Sequence, residues 1–381
     1  MKTPETSRLF VKRTDPVSGV SHYVLSERLA AYQQGFYFVN NSMMDDGRYL
    51  WFYASYPPVF SGALRQLGFI DFETDEMFIC RDTLFESASP YIDPQTGDAY
   101  FAWSGRIFRR APRADAATEE LYAIPSVGVI RHCSTHLTLT ADGNEFFMDV
   151  NAGNDEFFVG TVNRRTGTFT KWADAPHMMN HGQANPVDND LALCAYDHSV
   201  NILTGESRRI TTNEDGVYER LWTVTRDGKR TLHPARDNYA THEWWSADGK
   251  KIYYCNPKGI QRLDLTTGEH INRHPCCPWH AHTTPDETKY VFDEVIYDRF
   301  KVWYRGCPAA VKFWNAETDR EITIVTRMPE NGFTPDHPNN YHIDPHPRFT
   351  DNGRYVVFTT TEFGGADLAV VPVSELLERT T

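Results

Sequence analysis

No stretch of this sequence approaches the roughly 18 consecutive apolar residues of a membrane span, and the N-terminus MKTPETSRLFVKRTDPVSGV has no apolar signal core. A soluble, cytoplasmic protein without a membrane partner is therefore expected. The chain is also short of positive charge, with 38 Lys and Arg against 51 Asp and Glu, a formal net charge of −13. That balance argues against a nucleic-acid surface, which needs clustered cations. It leaves room for an anionic ligand wherever a local cation or a metal reverses the field. The seven cysteines are scattered and form no CxxC pair, so a structural zinc is not expected and reduced core thiols are. There is no GxSxG elbow, P-loop or dinucleotide fingerprint in a credible context. Long amphipathic helices are missing too; only VSELLERTT at the C-terminus reads as helical.

What the chain has is aromatic residues (13%) and a repeating grammar of short strands and tight turns. The clearest copy is THEWWSADGKKIYYC from Thr241, followed by GIQRLDLTTGE: a strand, an Asp-Gly turn, two strands and a Thr-Gly turn. The pattern returns in HLTLTADGNEFFMDV from His136, HAHTTPDETKYVFDE from His280 and HPRFTDNGRYVVFTT from His346. Weaker copies begin near residues 40, 89 and 181. Units spaced by about 40–60 residues match four-stranded propeller blades. The expectation is all-β: a seven-bladed β-propeller in which residues 1–381 form one domain. SHYVLS near Ser21 is expected to close the ring beside LAVVPV.

The repeats carry histidines in register. His136, His242 and His280 each stand six residues before the turn residues Asp142, Asp248 and Asp286, and His346 six before Asn352. His181 precedes Asp188 by seven, and the first copy has Asn40 at this position. A polar residue at a strand start accounts for any one of them. Five in register, with His282, His342 and Asp344 nearby, point instead to one funnel of imidazoles and carboxylate around the axis, suited to a divalent metal and to proton transfer near neutral pH. Arg220, in YERLWTV, is a candidate for the same mouth or for a surface salt bridge. Gln183 and Asn185, in NHGQANP, suit sugar hydroxyls or turn chemistry.

NHGQANPVDNDLALCAYD, THEWWSADGKKIYY, PWHAHTTPDE and DPHPRFTDNGRYVVFT together resemble the oligogalacturonate lyases, cytoplasmic seven-bladed propellers that cleave short pectin fragments. The resemblance is best over residues 178–362. It implies a manganese ion, or a similar divalent ion, held by three histidines and a glutamine. His280 and His346 match two of these histidines. The third falls on Asp344, because this chain reads DPHP, with His342 as the alternative. The glutamine has no direct counterpart; Tyr341 or Asn339 stands there. The resemblance further implies His242 as catalytic base, with Arg220 beside the substrate carboxylate. His136, His181 and Gln183 would line the sugar site of an acidic oligosaccharide. Three readings follow: an oligogalacturonate lyase, a lyase for another glucuronate- or rhamnose-containing substrate, and a non-catalytic propeller that binds a sugar or protein.

Overall fold

The computed structural model describes residues 1–56, 65–85, 90–125, 130–152, 156–197, 199–200, 207–208, 212–296, 308–329 and 344–381. His342, Tyr341, Asn339 and Cys307 lie outside the described residues. The chain is all-β and propeller-like, a succession of antiparallel sheets of mostly four strands. The strands Tyr91–Ile92, Met179–Ala184, Thr241–Trp245, Pro278–Thr283 and Arg348–Phe349 each begin a run from which the chain steps outward strand by strand; in the remaining sheet Ile130–Cys133 and Thr138–Leu139 both pair with Glu145–Ala152 before it does so. Among the described residues, helix is limited to a 3₁₀ turn and the C-terminal Val373–Thr380, the segment read as helical in the sequence. No helix is long and apolar enough to cross a membrane.

Alternating and continuous apolar strands need a partner on each face, and successive sheets supply it. Phe147 and Val159 pack against Ala192, Cys194 and Val224 of the next sheet. Trp244 and Tyr253 meet Ala281, Tyr290 and Phe292 in the same way. The last sheet continues from Arg348–Phe349 through Tyr355–Thr360 and Asp367–Pro372 into the N-terminal strands Ser21–Leu25 and Phe10–Thr14. Tyr23 pairs with Val370 and Val24 with Ala369, the closure expected from the sequence. This mixed sheet packs on Val291 and Phe313 on one side and on Leu50, Phe52 and Ile70 on the other, so the succession closes on itself. A single parallel bridge, Gln33 to Asp367, joins it to the first sheet.

One turn recurs at seven places. Its first residue donates a backbone hydrogen bond to the start of the next strand: Met44 to Tyr49, Asp93 to Asp98, Thr140 to Glu145, Asn185 to Leu191, Ser246 to Lys251, Thr284 to Lys289 and Thr350 to Tyr355. The extra residue before Leu191 is the insertion that puts His181 seven rather than six positions from its turn residue. Four residues upstream of six of these donors stand Asn40, His136, His181, His242, His280 and His346; upstream of Asp93 the position is Ser89, outside the described residues.

Candidate functional site

Those positions converge. Ring centroids are 5.3 Å apart for His136–His181, 6.1 Å for His181–His242, 4.1 Å for His242–His280 and 4.2 Å for His280–His346. All five imidazoles are buried. Local backbone irregularity helps to aim them. The inner strands carry a bulge between Asn180 and Gln183, between Thr241 and Trp244, and between Pro278 and Ala281. His181, His242 and His346 also adopt left-handed φ values of 52°, 51° and 46°. Bulges re-aim side chains, and strained non-glycine residues concentrate at functional sites. Asn40 leaves the ring pattern: its Nδ2 donates to the carbonyls of Pro90 and Leu137, tying neighbouring repeats together.

The centre of the arc is occupied by a residue that the sequence did not reveal. Tyr37 lies 4.5–6.3 Å, centroid to centroid, from all five histidine rings, closest to His346 and stacked on His136. Burial raises its pKa well above the usual phenol value, and Glu243 adds to that, so the hydroxyl stays protonated at neutral pH. Neither ring nitrogen of His136 has a hydrogen-bond partner among the described residues. Burial and the neighbouring His181 hold this histidine neutral.

On one side of the arc, His280, Asp344 and His346 bring three potential ligand atoms within 4.8 Å of one another, all from buried residues. Nδ1 of His280 hydrogen-bonds Oδ2 of Asp293 at 2.8 Å, so coordination of an ion by His280 goes through Nε2. The other oxygen of Asp293, Oδ1, accepts the His280 backbone N–H at 2.7 Å, and the His346 N–H reaches Oδ2 at 3.3 Å. Burial pushes the Asp293 pKa up to about 7 although these backbone donors oppose the shift. A carboxylate behind a ligating histidine is the usual means of fixing its tautomer and orientation. Two imidazoles and a carboxylate suit a divalent first-row metal with open positions for substrate. The three residues therefore fit the ion that the resemblance implies.

On the other side, Glu243 is a fully buried carboxylate. It accepts from Arg220 Nε at 3.0 Å and pairs with His181 Nδ1 at 2.8 Å. Burial opposes its ionisation, but Arg220 and His181 outweigh burial and keep its pKa well below the carboxylate range. Arg220 is itself buried, with Asp197 3.6 Å from Nη1. Gln183 donates from Nε2 to the Glu243 carbonyl at 2.9 Å, bracing the same group. Gly182 lies directly against Asp149: a Cβ there would come within 2.9 Å of Oδ1, so only glycine lets the inner strand approach. His242, between the two halves, has its pKa lowered well below 6.5 by burial and then by the nearby His280, His181 and Arg220. It is a neutral imidazole at neutral pH, and its Nδ1 lies 3.1 Å from Thr241 Oγ1.

The structure thus brings together His136, His181, Gln183, Arg220, His242, His280, Asp344 and His346. Asn185 is a turn residue: Oδ1 accepts from the backbone of Val187 and Asp188, and Nδ2 donates to the Gly249 carbonyl. His282 lines a separate cavity with Trp245 and Arg348. Sequence reasoning missed Tyr37, Glu243, Asp293 and Asp149. The two aspartates carried a usable signal, since each lies inside an apolar strand nine residues after its turn donor, Thr140 or Thr284.

No protein-family model matches this sequence, and no curated protein matches it. Among solved structures, an oligogalacturonate lyase in complex with manganese superposes with a TM-score of 0.75 at 15% identity, covering 99% of this chain and 100% of its own. An oligogalacturonate lyase from Vibrio parahaemolyticus gives 0.72 at 15% identity, covering 96% of each chain. The chain therefore has the fold of the oligogalacturonate lyases along nearly its whole length.

Proposed function

We propose that this protein is a metal-dependent lyase that cleaves short uronate oligosaccharides, of the oligogalacturonate type, by β-elimination. The observation that carries the reading is the apposition of a two-histidine, one-carboxylate cluster with a neutral, buried imidazole, His242, 4.1 Å from His280. We also read the whole chain as one domain of seven blades, a reading supported by the seven equivalent turns and the mixed closing sheet.

Charge explains why such a site needs an ion. Among the described residues Glu243, Asp197 and Asp344 stand beside Arg220, so without a cation these groups together oppose a uronate. His280, Asp344 and His346 would hold a divalent ion, manganese in this reading, which when bound would supply positive charge opposite the substrate carboxylate. Arg220, fixed by Glu243, adds its own charge from the opposite side of the arc. His242 takes the C5 proton, the C5–H electrons form the C4–C5 double bond, and the C4–O4 bond breaks. The leaving oxygen is protonated from the imidazolium or from water. His136 and His181 line the sugar, with Gln183 behind them bracing Glu243. Asp344, where the resemblance leads one to expect histidine, favours a second reading, a lyase for a glucuronate- or rhamnose-containing oligosaccharide.

Incubation with digalacturonate and Mn²⁺, followed by ultraviolet absorbance of the conjugated 4,5-unsaturated product, tests the first reading. Product from a glucuronate-containing disaccharide alone moves the substrate to the second. No unsaturated product from either leaves a sugar- or protein-binding propeller and ends the lyase proposal.

A further inference from the structure

Tyr37 faces the histidines, but Val39, two residues on, faces a different space. A cavity of about 360 Å³ lies beyond it, lined by Gln183, Trp245, His282, Arg348 and Phe349 among others. Phe38 sits between the two, 6.0 Å from the Trp244 ring and 5.6 Å from that of His280. Residues 37–39 thus separate a front chamber with the histidine arc from a rear chamber at the turn ends of the inner strands.

The rear chamber has the attributes of a small-ligand site. Its volume lies within the roughly 300–1,000 Å³ of such pockets. One wall is the indole of Trp245, pinned by its Nε1 donating to the Gln183 carbonyl at 3.1 Å. Two buried polar atoms beside the cavity, Arg348 Nε and His282 Nδ1, have no hydrogen-bond partner among the described residues. A buried polar group left unsatisfied is costly, and a bound hydroxyl would recover that cost. Among the described lining residues only Arg348 and Asp351 are charged, and they pair with each other at 2.8 Å. The chamber is therefore electrically matched, and an acid entering it would bury a charge without a counterion.

We propose that the rear chamber binds an uncharged polyhydroxylated ring, a neutral sugar of one or two units. The C–H face of the ring packs on Trp245 while its hydroxyls meet Arg348 and His282. This ligand class differs from the acidic substrate proposed for the front chamber, and the inference does not depend on the lyase reading.

The test is calorimetric titration of the full-length protein with galactose, rhamnose, lactose and galacturonate. At least one neutral sugar should bind saturably, one per chain, and more tightly than galacturonate. Trp245→Ala should weaken that binding at least tenfold, whereas Arg220→Ala, which alters the front chamber, should leave it unchanged. A crystal soaked with the best neutral sugar should show its ring against Trp245, which answers the question even if the Trp245 variant does not fold. Absence of neutral-sugar binding, preference for galacturonate, or affinity lost in Arg220→Ala but kept in Trp245→Ala would each overturn the proposal.

Discussion

The rings of His242 and His280 stand 4.1 Å apart, the shortest spacing among the five histidines at the axis. A base and a metal-holding imidazole in direct contact make their roles separable only by measuring both. With His242 as base, His242→Ala is expected to lower kcat by ~10²–10⁴-fold with far less change in KM. Bound metal should stay at the wild-type level. Loss of metal and activity together, with excess Mn²⁺ restoring the rate, would instead make His242 part of the metal shell.

Chelation should abolish turnover, and Mn²⁺ or a similar divalent ion should restore it. Asp344→Ala should remove most bound metal. Asp293→Asn, which disturbs the support behind His280 and the backbone of His346, should weaken metal affinity by about 10–100-fold. Full metal content and activity in the Asp344 variant would dissolve the site.

Glu243 and Arg220 form a buried ion pair in which neither charge has water to fall back on. Arg220→Ala should therefore destabilise the fold by about 3–5 kcal/mol, because breaking such a pair strands the other charge. Arg220→Met combined with Glu243→Leu should recover much of the loss. Urea unfolding of the three proteins decides this; a single variant within ~1 kcal/mol of wild type would mean that water reaches the pair.

Acid stability has a defined direction. Burial, then the neighbouring His270, lowers the pKa of His233 to about 4, and its Nε2 lies 2.8 Å from Thr223 Oγ1. The unfolded chain takes up this proton near its reference value of about 6.5, while the folded chain resists it. Stability from His233 is thus fully present above about pH 6.5 and is lost as pH falls toward 4, by roughly 2–3 kcal/mol in all. His136 is depressed in the same sense. The Tm should fall through this interval, and less steeply in His233→Asn. An unchanged slope would remove His233 from the account.

Tyr37 is the packing centre of the arc. Tyr37→Phe should keep the stability of the fold, whereas Tyr37→Ala should cost about 3–5 kcal/mol, as for other buried aromatics, and merge the two chambers. Equal stability of the two variants by thermal unfolding would deny Tyr37 that role.

The repeat was legible because strand alternation and turn residues obey local rules that each copy states for itself. The histidine register was legible for the same reason, being measured from the turns. Tyr37 was not, because it comes from the segment preceding the first turn and has no counterpart in the other repeats. Glu243 adjoins His242 in plain view, but its meaning depends on Arg220, 23 positions away on another sheet. His282 keeps strand register with His280, yet two residues along an inner strand carry it to the rear chamber. Depth along the axis is a property of the assembled ring and has no signature in one strand.

The closing sheet also sets the order of events at the ribosome. Strands Ser21–Leu25 and Phe10–Thr14 are made well before their partner Asp367–Pro372. Until it emerges, Leu50, Phe52 and Ile70 have no Val357 or Val370 to cover them. Every nascent chain thus carries an adhesive apolar flank until that later strand is made, and slow translation lengthens its exposure to aggregation. A circular permutant that opens the chain at an outer turn, such as that after Leu265, would keep the closing sheet within one continuous stretch and shorten that interval.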